Sequence, residues 1–115
     1  MSPGTSVDST LAALSDPTRR AVVELLRGQP RRAGELADAL AMNAAALSRH
    51  LRVLRENGLI VDDNLDGDAR VRLYRLRPEA FVSLRDWLAQ IEAFWGEQLQ
   101  SFKQHAEHRA ARPKR

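Results

Sequence analysis

Arg49 and Arg52 stand three residues apart, with Ser48 beside them and Ala44 and Ala45 one turn earlier. A guanidinium fork pairs bidentately with a phosphate or with the O6 and N7 edge of guanine, and a serine hydroxyl serves either a base edge or a phosphate. Alanines let a backbone come close and can touch thymine methyls. At 100° per residue, Leu47, Leu51 and Leu54 fall in one stripe, while Ala45, Arg49, Arg52 and Glu56 fall opposite and Ser48 flanks them. A helix over 44–57 therefore buries its leucines and can lay the other face in a major groove. Arg49 is the candidate for base reading, while Arg52 and Arg55, further along, suit phosphates. His50 sits beside the apolar stripe, where a packed histidine or a phosphate contact is expected rather than a ligand or base.

The neighbouring elements must position that face. Asn43 is a competent N-cap for the helix 44–57 and, with Ala44 and Ala45 at the helix start, a candidate DNA contact, and Gly58 stands where a helix stops in the left-handed conformation. Ahead of it, a short helix over Ala33–Leu40 turns Leu36, Ala37 and Leu40 inward, and Ala41-Met42-Asn43 joins the two as a helix-turn-helix. After Gly58 the pattern switches to period two, with strands over Leu59–Val61 and Arg70–Leu76 and a turn at Asp66-Gly67. This hairpin, 59–76, reads as a wing. Arg70 and Arg72 share one side of its second strand and can reach a minor groove or its phosphates. Asp62, Asp63, Asp66 and Asp68 either point away from such a partner or limit non-specific binding; they lack the ligand spacing of a calcium loop. Upstream, a helix covers Val7–Leu14 with Leu11 and Leu14 on one face. Asp16 caps the next helix, Pro17 opens it, Val22, Leu25 and Leu26 give it an apolar face, and it ends near Arg27 at Gly28 and Pro30. Pro78 opens a final helix reaching Glu107. Residues 1–6 and 109–115 are expected to be loose. The predicted fold is mainly α with a two-stranded β-hairpin, in the order α-α-α-α-β-β-α, one winged helix-turn-helix domain over 1–115.

In the last helix, Leu84, Leu88, Ile91, Trp95, Leu99 and Phe102 step by three or four residues, and Phe81, Trp87 and Phe94 widen the stripe. A small three-helix core cannot absorb all of it, so the excess is expected to bury against a symmetry mate. The expected interface comprises Leu11, Leu14, Leu88, Ile91, Trp95, Leu99 and Phe102. A homodimer would also read two half-sites of a two-fold DNA site.

Composition agrees with this reading and excludes others. Of 18 basic residues in 115, 16 are arginine. Eight arginines between Arg19 and Arg55 face three acids, and four more lie between Arg70 and Arg77, an asymmetry of the kind nucleic-acid binders show. The absence of cysteine excludes disulfides, thiolate metal sites and thiol nucleophiles. No apolar run of about 18 residues is present, so no membrane span is expected, and the N-terminus lacks signal-peptide features; a cytoplasmic protein is the default. No acid–base pair at helical spacing and no glycine-rich phosphate loop supports an enzyme. A winged-helix protein-interaction module without DNA binding is the competing class, and Arg49 and Arg52 weigh against it.

Four blocks are familiar together: Leu14-Ser15-Asp16-Pro17-Thr18-Arg19-Arg20, Gly34-Glu35-Leu36-Ala37, the run from Leu47-Ser48-Arg49-His50-Leu51 through Gly58-Leu59-Ile60, and Tyr74-Arg75-Leu76. In this order they resemble the ArsR/SmtB family of bacterial regulators, over about residues 9 to 100. The resemblance implies a dimeric winged helix-turn-helix repressor that binds an imperfect palindrome at its own promoter and releases it on a signal. It places groove contacts on Ala44, Ala45, Ser48 and Arg49, where the first two are often polar in relatives. Metal-sensing relatives often carry a cysteine pair in the helix before the turn. The matching stretch here, Glu35–Leu40, has none, so a thiolate-bound inducer is not expected. Zinc-type relatives use acid and histidine ligands on the last helix. Glu92, His105 and His108 match part of that pattern, with Phe94 where a histidine would stand, so a nickel- or zinc-responsive repressor is the alternative and no metal or cofactor the expectation. The inducer stays open.

Overall fold

A computed structural model describes residues 6–64 and 72–111. The elements are α1 (Val7–Ala13), α2 (Pro17–Gly28), β1 (Arg31–Arg32), α3 (Ala33–Ala39), α4 (Ala44–Glu56), β2 (Ile60–Asn64), β3 (Arg72–Leu76) and α5 (Pro78–Ala111). The expected leader through residue 5, the Asp66-Gly67 turn, Asp68, Arg70 and the tail from Arg112 lie outside the described residues. By its contacts the chain divides into two compact units, one ending at Leu84 and the other beginning at Arg85.

Three helices begin as their cap residues dictate. The Ser6 hydroxyl accepts from Ser9 N–H at 3.0 Å, the Asp16 carboxylate from Thr18 and Arg19 at 2.7 and 3.3 Å, and the Asn43 side chain from Ala46 at 2.8 Å. Each satisfies donors that a helix N-terminus leaves orphaned. The carbonyls at the end of α1 find cations: Arg19 Nε donates to Ala13 O at 2.6 Å and Arg20 Nη1 to Leu14 O at 2.7 Å.

Two helices end in the same motif with different residues. At the end of α4, Leu59 N–H reaches Leu54 O and Gly58 N–H reaches Arg55 O, both at 3.0 Å, with Gly58 at φ 78°. At the end of α3, Met42 N–H reaches Ala37 O at 3.0 Å and Ala41 N–H reaches Asp38 O at 3.2 Å. Here the left-handed position is held by an alanine, Ala41 at φ 52°. The paired bonds define a Schellman stop, whose left-handed residue is usually glycine because a Cβ is strained there.

The sheet is antiparallel in the order β1-β3-β2. The sequence led to a two-stranded hairpin; the third strand, β1, adds only Arg31 and Arg32, paired with Tyr74 and Leu73, too short for any period to show. The first strand of the hairpin also departs from Leu59–Val61. Leu59 belongs to the stop of α4, and β2 runs to Asn64, which carries Asp62 and Asp63 into the ladder opposite Tyr74 and Leu73. The final helix runs four residues past the expected Glu107.

The first unit holds the core. Val22, Leu36, Leu47, Leu54, Leu59, Ile60 and Ala80 are fully buried, with Leu26, Leu51 and Tyr74 close behind. Each buried leucine stabilises the fold by roughly 1.5–3 kcal/mol. Thr10, a buried polar residue, lies between the carbonyls of Ser6 at 3.1 Å and Ala80 at 3.2 Å, so its hydroxyl ties α1 to the first turn of α5.

Because Ala41 is exposed and loses no packing on change, Ala41→Gly should raise stability by about 1 kcal/mol through relief of left-handed strain. Urea unfolding of the variant checks this; a lower midpoint would show that Ala41 is not strained.

Candidate nucleic-acid interface

The leucine stripe of α4 determines what lies opposite. Leu47, Leu51 and Leu54 are 1%, 3% and 0% exposed. Asn43, Ala44, Ala45, Ser48, Arg49 and Arg52 are all exposed, so the structure brings six of the eight expected contact residues to the start and outer face of one helix. Asn43 also serves as the cap. The Asn57 side chain donates to Val53 O at 2.8 Å and helps close the other end.

Most arginines of the first unit have structural partners. Arg19 and Arg20 hold the end of α1, and Arg31 Nε donates to Leu25 O near the end of α2 at 3.1 Å. Arg27 pairs with Glu24 at 3.0 Å and Arg77 with Glu79 at 3.4 Å. Arg32, Arg49 and Arg52 differ: no hydrogen bond or ion pair holds their guanidinium groups among the described residues.

On the wing, Asp62 lies between two arginines, 3.7 Å from Arg55 and 3.4 Å from Arg72, and Asp63 pairs with Arg75 at 3.0 Å. Asp62 and Asp63 thus neutralise arginines of their own fold, a pairing the sequence reading did not foresee. Arg55, expected at a phosphate, is engaged with Asp62, and that pair links the end of α4 to β2. Arg72 is exposed on β3 but shares the same carboxylate. Arg70 lies outside the described residues.

His50 is half-buried, its Nδ1 3.9 Å from Asp16 Oδ1 and 3.5 Å from Arg19 Nη1. The packed-histidine expectation fits this position. The node joins α4 to the cap of α2 and, through Arg19, to the end of α1. Burial pushes the Asp16 carboxyl up, but the N–H bonds from Thr18 and Arg19 and the nearby His50 and Arg19 together hold it below the usual carboxylate value. A carboxylate lowered on folding stabilises the fold above its unfolded pKa, and that contribution is lost as pH falls through the lowered folded value. Asp16→Asn keeps a cap acceptor but removes the charge. It should be less stable than the parent at about pH 6, and the gap should narrow as pH falls below the ordinary carboxylate range, compared by urea unfolding; a gap unchanged by pH would contradict the electrostatic part.

Of the expected dimer residues, Leu14 packs against the core of the first unit, and Leu11 is exposed. In the second unit Leu88, Trp95, Leu99 and Phe102 are exposed, the last at 73%, and Ile91 is half-covered. Phe94 and Trp95 meet edge to face at 4.9 Å between ring centroids. Glu92, His105 and His108 are exposed on α5, and among the described residues no three His, Cys, Asp or Glu side chains come together as a metal set.

A helix-turn-helix followed directly by an antiparallel wing defines a winged helix-turn-helix, and its outward helix bears arginines: this is the architecture of DNA-binding transcriptional regulators. The comparisons give the family. Residues 16–61 match the family described as "Bacterial regulatory protein, arsR family". The HTH-type transcriptional regulator Rv2034 of Mycobacterium tuberculosis is 38% identical over 104 residues, covering 90% of this chain and 92% of its own. An ArsR-like transcriptional regulator from Rhodococcus sp. RHA1 superposes with a TM-score of 0.66 at 30% identity, over 87% of this chain and 92% of that one. The solution structure of the homodimeric winged helix-turn-helix DNA-binding domain of Mb0332 from Mycobacterium bovis shares the fold, with a TM-score of 0.58 at 22% identity over 78% and 82% of the two chains. The chain belongs to the ArsR family of bacterial transcriptional regulators. No helix among the described residues is long and apolar enough to cross a membrane.

Proposed function

We propose that the protein is a homodimeric repressor that binds an imperfect two-fold operator, with α4 in the major groove and the paired strands β2 and β3 as wing. The observation that carries this reading is the exposed face of α4. Arg49 and Arg52 have no structural partner among the described residues, although most neighbouring arginines do. An arginine retained without a partner at the middle of a helix, beside Ala45 and Ser48, is available to guanine and phosphate. In this reading Arg49 reads a base, Ser48 and Arg52 fix the register, and Asn43, Ala44 and Ala45 permit close approach. Arg70 and Arg72 serve the flanking backbone.

The homodimer is supported by the apolar stripe of the second unit. Trp95 and Phe102 are half to three-quarters exposed along with Leu88 and Leu99, a run longer than scattered surface hydrophobics. A second copy is the simplest cover, and the relative Mb0332 is described as homodimeric. Two copies would present two α4 helices about one helical turn of DNA apart. With no cysteine in the sequence, any signal acts without thiolate ligation.

Arg49→Ala should cost about 1–3 kcal/mol on the specific site and relax base preference there. Fluorescence anisotropy with specific and random duplexes checks it; equal losses on both would remove Arg49 from base reading. Trp95→Ala should weaken self-association, read by sedimentation velocity across a dilution series, and a variant that stays a tight dimer would place the interface elsewhere.

A further inference from the structure

Helix α3 departs from the way α1, α2 and α4 begin. Ser6, Asp16 and Asn43 each cap a helix with a side-chain oxygen, whereas the N-cap of α3 is Arg32, whose guanidinium can only donate. The start of α3 is held from the other direction, by Glu35 Oε1 accepting from the Arg32 N–H at 3.1 Å. A residue that fits its local position poorly, without a visible gain inside the fold, is where a functional demand is expected. Arg32 is exposed, and its guanidinium has no partner among the described residues.

Its surroundings suggest what that demand is. Arg32 pairs in register with Leu73, next to Arg72 on β3, and both arginines line an open groove of about 460 Å³ between α3 and the wing. Gly34 and Tyr74 also line it, and they line a smaller hollow of about 100 Å³ that extends to Ala44 and Ser48. The depression thus runs from the start of α4 to the wing. A Cβ built on Gly34 would meet nothing within 4 Å, so this stretch is open to an approaching backbone. A major groove is about 12 Å wide and a helix with its side chains 10–12 Å across, so a helix lying in it brings the flanking phosphates against whatever adjoins it. Beside the start of α4, that is the Arg32–Gly34 segment. Glu35 and Asp38 also border the groove and balance its arginines, so long-range attraction is weak there. What Arg32 offers is one short charge-assisted contact.

We propose that Arg32 contacts a backbone phosphate of bound DNA from this groove, a contact that rests on the DNA-binding reading of α4. It positions the duplex without reading sequence.

Arg32→Ser separates this role from folding, because serine is a good N-cap. The full-length parent, Arg32→Ser, Arg32→Lys and Arg49→Ala are titrated, over a salt series, with a duplex selected by the parent from a random pool and with random duplex. Arg32→Ser should melt no lower than the parent, yet bind both duplexes on the order of tenfold more weakly. Its plot of log K against log salt should be shallower by about 0.9 per phosphate lost, and Arg32→Lys should keep most of the slope. Unchanged affinity and slope in Arg32→Ser, with Arg49→Ala still impaired, would overturn the Arg32 contact alone. A lowered melting point in Arg32→Ser would remove the capping argument and overturn it as well. If the parent binds neither duplex, the contact falls together with the reading of α4.

Discussion

Leu47, Leu51 and Leu54 lie in the core, and an α-helix turns 100° per residue, so their burial dictates what the other side of α4 presents. Residues 45, 48, 49 and 52 have no alternative but to face outward. The other features of the first unit fix that helix in position. Asn43 and the Gly58 stop bound it, Asp62 ties Arg55 at its end to the sheet, and His50 meets Asp16 at the head of α2. A surface for a groove must be rigid in orientation before its side chains can read anything, because misplacement by an ångström loses hydrogen-bond geometry.

The arginines divide by what they touch. Those near helix ends or carboxylates act within the fold, where exposed pairs contribute little stability each but set local geometry. Asp62 between Arg55 and Arg72 shows why counting charge along the sequence overstates the wing's positive potential. The guanidinium groups of Arg32, Arg49 and Arg52, without a partner among the described residues, say more about function than the net charge of +3 does.

Sequence reading reached some of this and missed some for physical reasons. The winged helix-turn-helix was legible because the leucine spacing, the Asn43 cap and the Gly58 stop each carry their own local chemistry. Ala41 was passed over because its left-handed stop is made by hydrogen bonds back to Ala37 and Asp38, with no glycine to mark it. Strand β1 is created by β3 and has no pattern of its own. The pairing of Asp62 and Asp63 depends on strand register, which the run of four aspartates obscured. Arg32 did carry a signal, a non-acceptor directly before the helix start read at Ala33, but the groove its side chain lines is formed with the wing and has no sequence mark of its own. Arg49 and Arg52 were found from the wheel and lie exposed as expected, because the leucines opposite them are buried.

The central claim is that two α4 faces read DNA as a symmetric pair. Selection of bound duplexes from a random pool by the full-length protein, followed by sequencing, tests it most directly. The account predicts enrichment of an inverted repeat whose half-sites are centred about 10–10.5 base pairs, one turn of DNA, or a multiple of it apart. Enrichment of a single asymmetric motif, or of nothing above the starting pool, would contradict it.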